Sequence, residues 1–424
     1  MYNKYFFLIM GLLMLTTIIY AQDIKTVRKL YDKKEWVKGK EAVDLLLANP
    51  AEQNNWEAWY FKGLIYGQMA KMPELKAQVP DGWVSSFEAY AKATQLDSKQ
   101  SNTYMTLRGY PVFDNYLELQ KEGNEFFNTQ AYKEAVGKYK QADQVGRFIF
   151  KNGWALAEVD TILYYYAGAA AMQANMPEDA VTYYKKIADA NIGGDGYDVC
   201  YRFLTYHYDK KGNADLSAKY ATAGRKLYPN DTYYDKLELD RERNNNGLSP
   251  ELFAKYEVVI SKEPGNYDLR FDYAAELFNW IYTELKATKE QQPVIFEKIV
   301  TQLKKCIELD VKKSDSYVLA GKTYYNEAAF IQESGKGLKS TVPEELKKKN
   351  ELKVQMDKRM NESLPYLEKA LEIFEKMTPE DFKAEKRLKN EYKTTLYLLS
   401  DAHRFLGNTE KEKAYTKKYD ALNQ

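Results

Sequence analysis

The chain carries two histidines, His207 and His403. Imidazole is the side chain most often recruited for proton transfer and metal ligation near neutral pH. A zinc-type centre needs three or four donors converging on one point, and neither histidine has a partner at ligand spacing. There is no His-Glu-x-x-His and no closely spaced cysteine pair. Gly193-Gly194-Asp195-Gly196 comes nearest to a phosphate-cradling loop. Such loops lie between a strand and the start of a helix, whereas this one follows a helical pattern and reads as a turn. The carboxylate pairs Glu344-Glu345 and Glu380-Asp381 fall at expected helix starts, where negative charge offsets the positive end of the helix dipole. A general acid and base would need a shared cleft. These residues imply no catalytic group, no metal site and no cofactor, and an enzyme is not expected.

Recognition by a surface is the chemistry left, and the spacing of small and aromatic residues decides which elements carry it. Gly123-x-x-Phe126 is followed by Ala135-x-x-x-Tyr139-x-x-Ala142, the pattern of two antiparallel helices in about 34 residues. Small residues belong where two helices touch, and the aromatics are expected to fill the gaps between one pair and the next. Residues 161–194 repeat the pattern with Gly168, Ala180 and Tyr184; 198–231 with Tyr201, Leu204 and Tyr208; 233–266 with Tyr256. Asn175, Gly212 and Gly247 occupy the turn inside each pair, where a left-handed backbone is least strained for Gly and then Asn. Pro229 and Pro264 follow second helices, where no further helical hydrogen bond is needed.

Toward the N-terminus, Trp36 to Asn49 reads as a partial repeat. Trp59-x-x-x-Gly63-x-x-Tyr66 opens a first helix paired with Phe87 to Leu96, and Gly67 to Trp83 between them reads as an inserted loop. Later pairs are Tyr267 to Glu284 with Val294 to Leu309, Ser314 to Glu333 with Pro365 to Glu375, and Lys389 to Leu406 with Thr409 to Asn423. The charged stretch before Pro365 is expected to extend its two helices into a projecting hairpin, over about residues 326–364. Basic runs such as Lys347-Lys348-Lys349 are interleaved with acids and read as a solvated helical face.

A chain of 424 residues exceeds one core, but a solenoid escapes that limit because each repeat buries itself only against its neighbours. The 45% hydrophobic content suffices for burial, and 37 tyrosines suit inter-repeat packing and groove walls. Lys plus Arg (62) and Asp plus Glu (61) nearly cancel, so no general attraction to nucleic acid or an acidic membrane follows. Residues 1–21 differ: a positive start at Lys4, an apolar stretch from Phe6 to Ile19 and small Ala21 before Gln22. This reads as a secretory signal peptide, the alternative being an uncleaved anchor, with no cysteine near the cut for lipidation. Cys200 and Cys306 fall in non-neighbouring repeats and are expected to be buried free thiols rather than a disulfide.

The landmarks resemble those of tetratricopeptide-repeat (TPR) proteins over nearly all of residues 24–424. Ala21-Gln22, the segment Leu364-Pro365-Tyr366-Leu367-Glu368-Lys369-Ala370-Leu371 and the helical insertion before it resemble exported repeat proteins of the Bacteroidota. The resemblance implies an all-α, right-handed superhelix (α-solenoid) of about seven or eight helix pairs with helical insertions. Its parts would be a signal peptide (1–21), N-terminal repeats with an inserted loop (22–110), regular central repeats (111–266) and C-terminal repeats with the inserted hairpin and capping helices (267–424). It also implies a concave groove lined by first helices that binds a protein or extended peptide. By position, that groove comprises Asn124, Phe127, Asn128, Tyr165, Gln173, Arg202, Tyr206, Arg241 and Phe278. The family's clamp for a peptide carboxylate, a Lys and an Asn four apart, reads Gln120 and Asn124 here and lacks its Lys. These side chains could equally pack between repeats. The expected role is a non-enzymatic scaffold or adaptor in the periplasm or cell envelope. The alternative is glycan or small-ligand capture beside an outer-membrane transporter, using Trp59 and Trp83.

Overall fold

The computed structural model describes residues 23–97, 110–154 and 157–422; the expected signal peptide lies outside them. The described residues form α-helices with short 3-10 and π turns and no strand. Two compact units divide at Pro229/Asn230.

The first unit begins with α1 (Ile24–Asp32), α2 (Trp36–Ala48) and α3 (Trp56–Lys71). It continues with the short α4 (Pro73–Lys76), then α5 (Gly82–Leu96), α6 (Tyr110–Asn128) and α7 (Tyr132–Lys151). Next come α8 (Thr161–Gln173), α9 (Pro177–Asp189), α10 (Asp198–Lys210) and α11 (Ala214–Leu227). Helices pair as α3 with α5, α6 with α7, α8 with α9, and α10 with α11. The turns match the turn chemistry: Asn175 and Gly212 have φ of 57° and 70°.

Packing inside three of these pairs follows one device. A Cβ placed on Gly63 would stand 2.6 Å from the Tyr90 ring, and one on Gly123 2.7 Å from the Tyr139 ring. Tyr184 lies on Gly168 in the same way. These tyrosines therefore fill their own hairpin rather than only the space between hairpins, because a bare Gly lets the ring lie flat on the first helix. Carboxylates then tie elements together. Asp143 on α7 receives Lys186 of α9 at 3.0 Å, and Asp189 receives Lys219 at 2.7 Å and the Tyr220 hydroxyl at 3.0 Å.

Two stretches differ from the sequence expectation. Residues 24–32, ahead of the expected partial repeat, are helical, and Asp23 caps them by accepting from Thr26 N at 2.8 Å. The Gly67–Trp83 segment is mostly helical rather than a loop. Burial of Met69, Ala70 and Val79 holds it against the repeat, and Gly82 passes close to Ala70.

The second unit contains α12 (Tyr233–Asn246), α13 (Pro250–Lys262), α14 (Tyr267–Phe278) and α15 (Gln292–Leu309). A π turn, Asn279–Thr283, extends α14. Then follow α16 (Ser314–Ser334), α17 (Pro343–Phe374), α18 (Pro379–Ala384), α19 (Lys386–Phe405) and α20 (Thr409–Ala421). Leu252, Tyr256, Tyr273, Leu277, Ile299 and Leu303 share one core, and Leu367, Leu371, Leu396 and Leu399 another. The stretch expected to extend the hairpin joins the helix that carries Pro365: α17 runs unbroken from Pro343 to Phe374, with Pro365 inside it. The loss of one backbone donor there is offset by burial of Met360, Leu367 and Ala370 on both sides. Helix α18 carries Glu380 and Asp381 in its first turn, at the helix start expected there, and is capped by a reciprocal Thr378–Asp381 box.

Candidate functional site

Helix α8 is built to show two faces. Asp160 starts it by accepting from Leu163 N at 2.9 Å. Leu163, Tyr164, Ala167, Gly168, Ala170 and Ala171 turn inward and are buried. Because a helix repeats every 3.6 residues, the residues between them face out. Ile162 is 65% exposed, Tyr166 41% and Met172 42%; Tyr165 is half-buried and Gln173 exposed.

From this face a run of rings crosses the first unit. Tyr132 meets Phe127 at 5.4 Å, Phe127 meets Tyr166 at 5.8 Å, Tyr166 meets Tyr165 at 5.5 Å, and Tyr165 meets Tyr197 at 5.8 Å. Each pair is edge-to-face, the geometry in which a ring's positive edge meets its neighbour's negative face. The run links α6 and α7 to α8 and to the turn entering α10. Exposed Leu117 on α6 and Tyr206 on α10 add apolar area. Lys210 Nζ lies 5.5 Å from the Tyr206 ring.

The polar residues expected in the groove are largely occupied. Asn124 accepts from the Tyr139 hydroxyl at 2.7 Å, and Gln120 Nε2 donates to the Tyr116 hydroxyl at 2.6 Å. Arg202 pairs with Asp198 one turn away at 3.0 Å. Asn128 is exposed and Phe127 half-buried. Burial raises the Tyr165 hydroxyl above the ordinary tyrosine range, so it stays a neutral hydrogen-bonding group. Asn124, Phe127, Asn128, Tyr165, Gln173, Arg202 and Tyr206 all lie in the first unit. Arg241 is half-buried on α12 of the second. Phe278 is a correction. It is 6% exposed, packs 5.0 Å from the Tyr282 ring and lies beneath Lys322, so it fills the second unit's core rather than lining a groove. Sequence position alone missed Leu117, Ile162, Tyr166 and Met172. The signal was their spacing from Gly123 and Gly168, which places them on the outward stripe.

Other candidates behave as packing groups. His207 is 8% exposed, 3.9 Å from Glu178, beside Phe203 and Tyr208. Cys200 and Cys306 are free and buried. Trp83 is 4% exposed, and Trp59 donates to Gln53 O at 2.9 Å with Lys62 above its ring, so neither offers a free flat platform. Among the described residues no group of three or more His, Cys, Asp or Glu could hold a metal ion, and no helix is long and apolar enough to cross a membrane.

No model of a protein family matches the chain, and no curated protein matches it. Several solved structures are similar to it. YrrB, described as a TPR protein with an unusual peptide-binding site, is 17% identical with a TM-score of 0.31, over 54% of this chain and 96% of that one. A TPR-repeat protein from Bacteroides fragilis is 17% identical with a TM-score of 0.25, over 66% of this chain and 97% of that one. The P58(IPK) TPR domain is 10% identical with a TM-score of 0.26, over 89% and 97%. The neighbours are TPR proteins, yet at these scores none bears on what this chain binds.

Proposed function

We propose that this helical-repeat protein is a non-enzymatic scaffold whose first unit binds a protein or extended peptide on its first-helix face. The observation that carries the reading is the run of rings from Tyr132 to Tyr197, together with exposed Leu117 on α6, Ile162 and Met172 on α8 and Tyr206 on α10. Leaving these apolar side chains in water costs free energy that a partner covering them would recover. Rigid aromatic anchors give a partner large contact area at small entropic loss. The stripe's charges are few, so apolar side chains of the partner would supply affinity, and Lys210 would favour an acid at one end. With its signal-like start, the scaffold would work in the periplasm or cell envelope of a Bacteroidota-type cell.

The test is crosslinking in living cells followed by mass spectrometry, then pull-down with variants. Tyr165→Ala plus Tyr206→Ala, and separately Tyr166→Ala plus Ile162→Ser, should release the captured partner at least tenfold. Unchanged capture by both variants sinks the assignment.

A further inference from the structure

The α16–α17 hairpin ends in a crevice of about 400 Å³, bounded by the last turn of α16, the 335–340 connection and the first turns of α17. That size lies within the range of small-molecule sites, roughly 300–1,000 Å³. Its walls are of two kinds. Ile331, Leu346, Leu352 and Met356 are apolar, whereas Lys349 and Lys353 supply positive charge, and no Asp or Glu lines it. Some lysines elsewhere in this unit pair with carboxylates: Lys262 with Asp235, Lys298 with Glu257, Lys411 with Glu368, Lys418 with Glu375. Here Lys349 reaches only the Ser340 hydroxyl, at 3.2 Å, and Lys353 makes no ion pair or hydrogen bond among the described residues. Gly335 keeps the floor narrow, since a Cβ there would stand 3.2 Å from Leu352 Cδ1. Leu346 is 39% exposed, so the apolar wall reaches the surface.

We propose that this crevice binds an anionic amphiphile, an acyl chain carrying one carboxylate or phosphate head. The chain would lie along Leu346, Leu352 and Met356 and leave water, which is the favourable term for apolar area. The head would take charge-assisted hydrogen bonds from Lys349 and Lys353. Neutral ligands leave both ammonium groups without a counter-charge, and short polar anions leave the apolar wall wet. The site is independent of the aromatic stripe of the first unit.

Titration calorimetry of the purified full chain with decanoate, held below its micelle concentration, tests the proposal, with decanol and acetate as matched probes. Saturable binding of decanoate is expected, at least tenfold tighter than decanol, with none for acetate. Lys349→Gln plus Lys353→Gln should weaken decanoate at least tenfold and leave decanol unchanged, while Leu346→Glu should weaken both. The Tyr165→Ala plus Tyr206→Ala variant should keep full decanoate affinity, which separates this site from the peptide surface. Decyl phosphate binding tighter than decanoate would assign the head as phosphate. Three results overturn the proposal: no binding of either anion; equal binding of decanoate and decanol; or affinity for anionic vesicles alone, which would make the lysines a membrane contact. Thermal melts of each variant verify that the hairpin remains folded.

Discussion

Tyr139 lies flat against Gly123: a Cβ on that glycine would come within 2.7 Å of Tyr139 Cε1 and 2.8 Å of Cδ1. The Tyr139 hydroxyl then reaches Asn124 at 2.7 Å, so one ring closes the α6–α7 hairpin and orders the stripe residue next to Gly123. Gly123→Ala adds helix propensity, worth up to about 1 kcal/mol, but forces a fully buried ring off its seat, which costs about 1–3 kcal/mol. The expected outcome is a net destabilisation of about 1–2 kcal/mol, read by denaturant unfolding. A variant as stable as wild type would show that the ring can shift freely.

Ala142 is fully buried on the same second helix. Ala142→Leu should lower stability by about 1–3 kcal/mol through overpacking, measured in the same unfolding experiment. A neutral result would contradict the close approach of helices at this position.

Asp143 ties α7 to α9. Its side chain is 7% exposed, receives Lys186 from α9 at 3.0 Å, and pairs with Arg147 at 3.1 Å. Asp143→Asn keeps the shape and removes the charge, leaving Lys186, which also sits 4.1 Å from the Tyr164 ring, without its counter-ion. Because Lys186 retains some contact with water, the expected loss is about 1–3 kcal/mol, below that of a fully buried broken pair. The double variant with Lys186→Met should recover part of it, and additive losses would show that the two residues do not act together.

The repeat landmarks were legible because they are local: Gly63, Gly123 and Gly168 each announce a helix contact, and Asn175, Gly212 and Gly247 each adopt the positive φ their turn requires. Tertiary placement was harder to read. Phe278 occupies a first-helix position by count, yet it ends α14 and its ring packs on Tyr282 of the π turn that follows. The helical parts of Gly67–Trp83 were missed because Pro73 and Pro80 signal a loop, whereas Pro73 in fact sits in the first turn of α4, where its missing N–H has no consequence. The aromatic stripe was half visible. Tyr165 and Tyr206 were found by position, but Ile162, Tyr166 and Met172 stand out only once burial shows which apolar side chains the core leaves behind.

Both thiols should be inert in the folded chain. Burial pushes Cys200 and Cys306 up to about 12, and the thiolate is the reactive form. Neither should label with maleimide at pH 7 in the native state, both should label in denaturant, and the intact mass should show two free thiols without reduction. Fast native labelling of either would place it at the surface.

The C-terminal cap should weaken in mild acid. His403 is 3% exposed and stacks 5.6 Å from Tyr415. Burial is the main cause that lowers it below the ordinary histidine value of 6.5, nearby Lys411 adds to the effect, and Glu368 opposes it. The unfolded chain therefore binds a proton that the folded chain resists, so stability is full above about pH 6.5 and falls as pH drops below it. His207 is lowered in the same sense, also mainly by burial. Asp272, Glu276 and Glu391 are raised by burial and oppose the trend, so the informative quantity is the difference between wild type and variant. His403→Phe keeps a ring on Tyr415 and removes the proton site. Between pH 7 and 5, unfolding free energies of the variant should decline less steeply than those of wild type, and hydrogen exchange in α19 and α20 should lose its acid dependence. Parallel pH profiles would show that His403 takes up its proton in the folded cap without penalty.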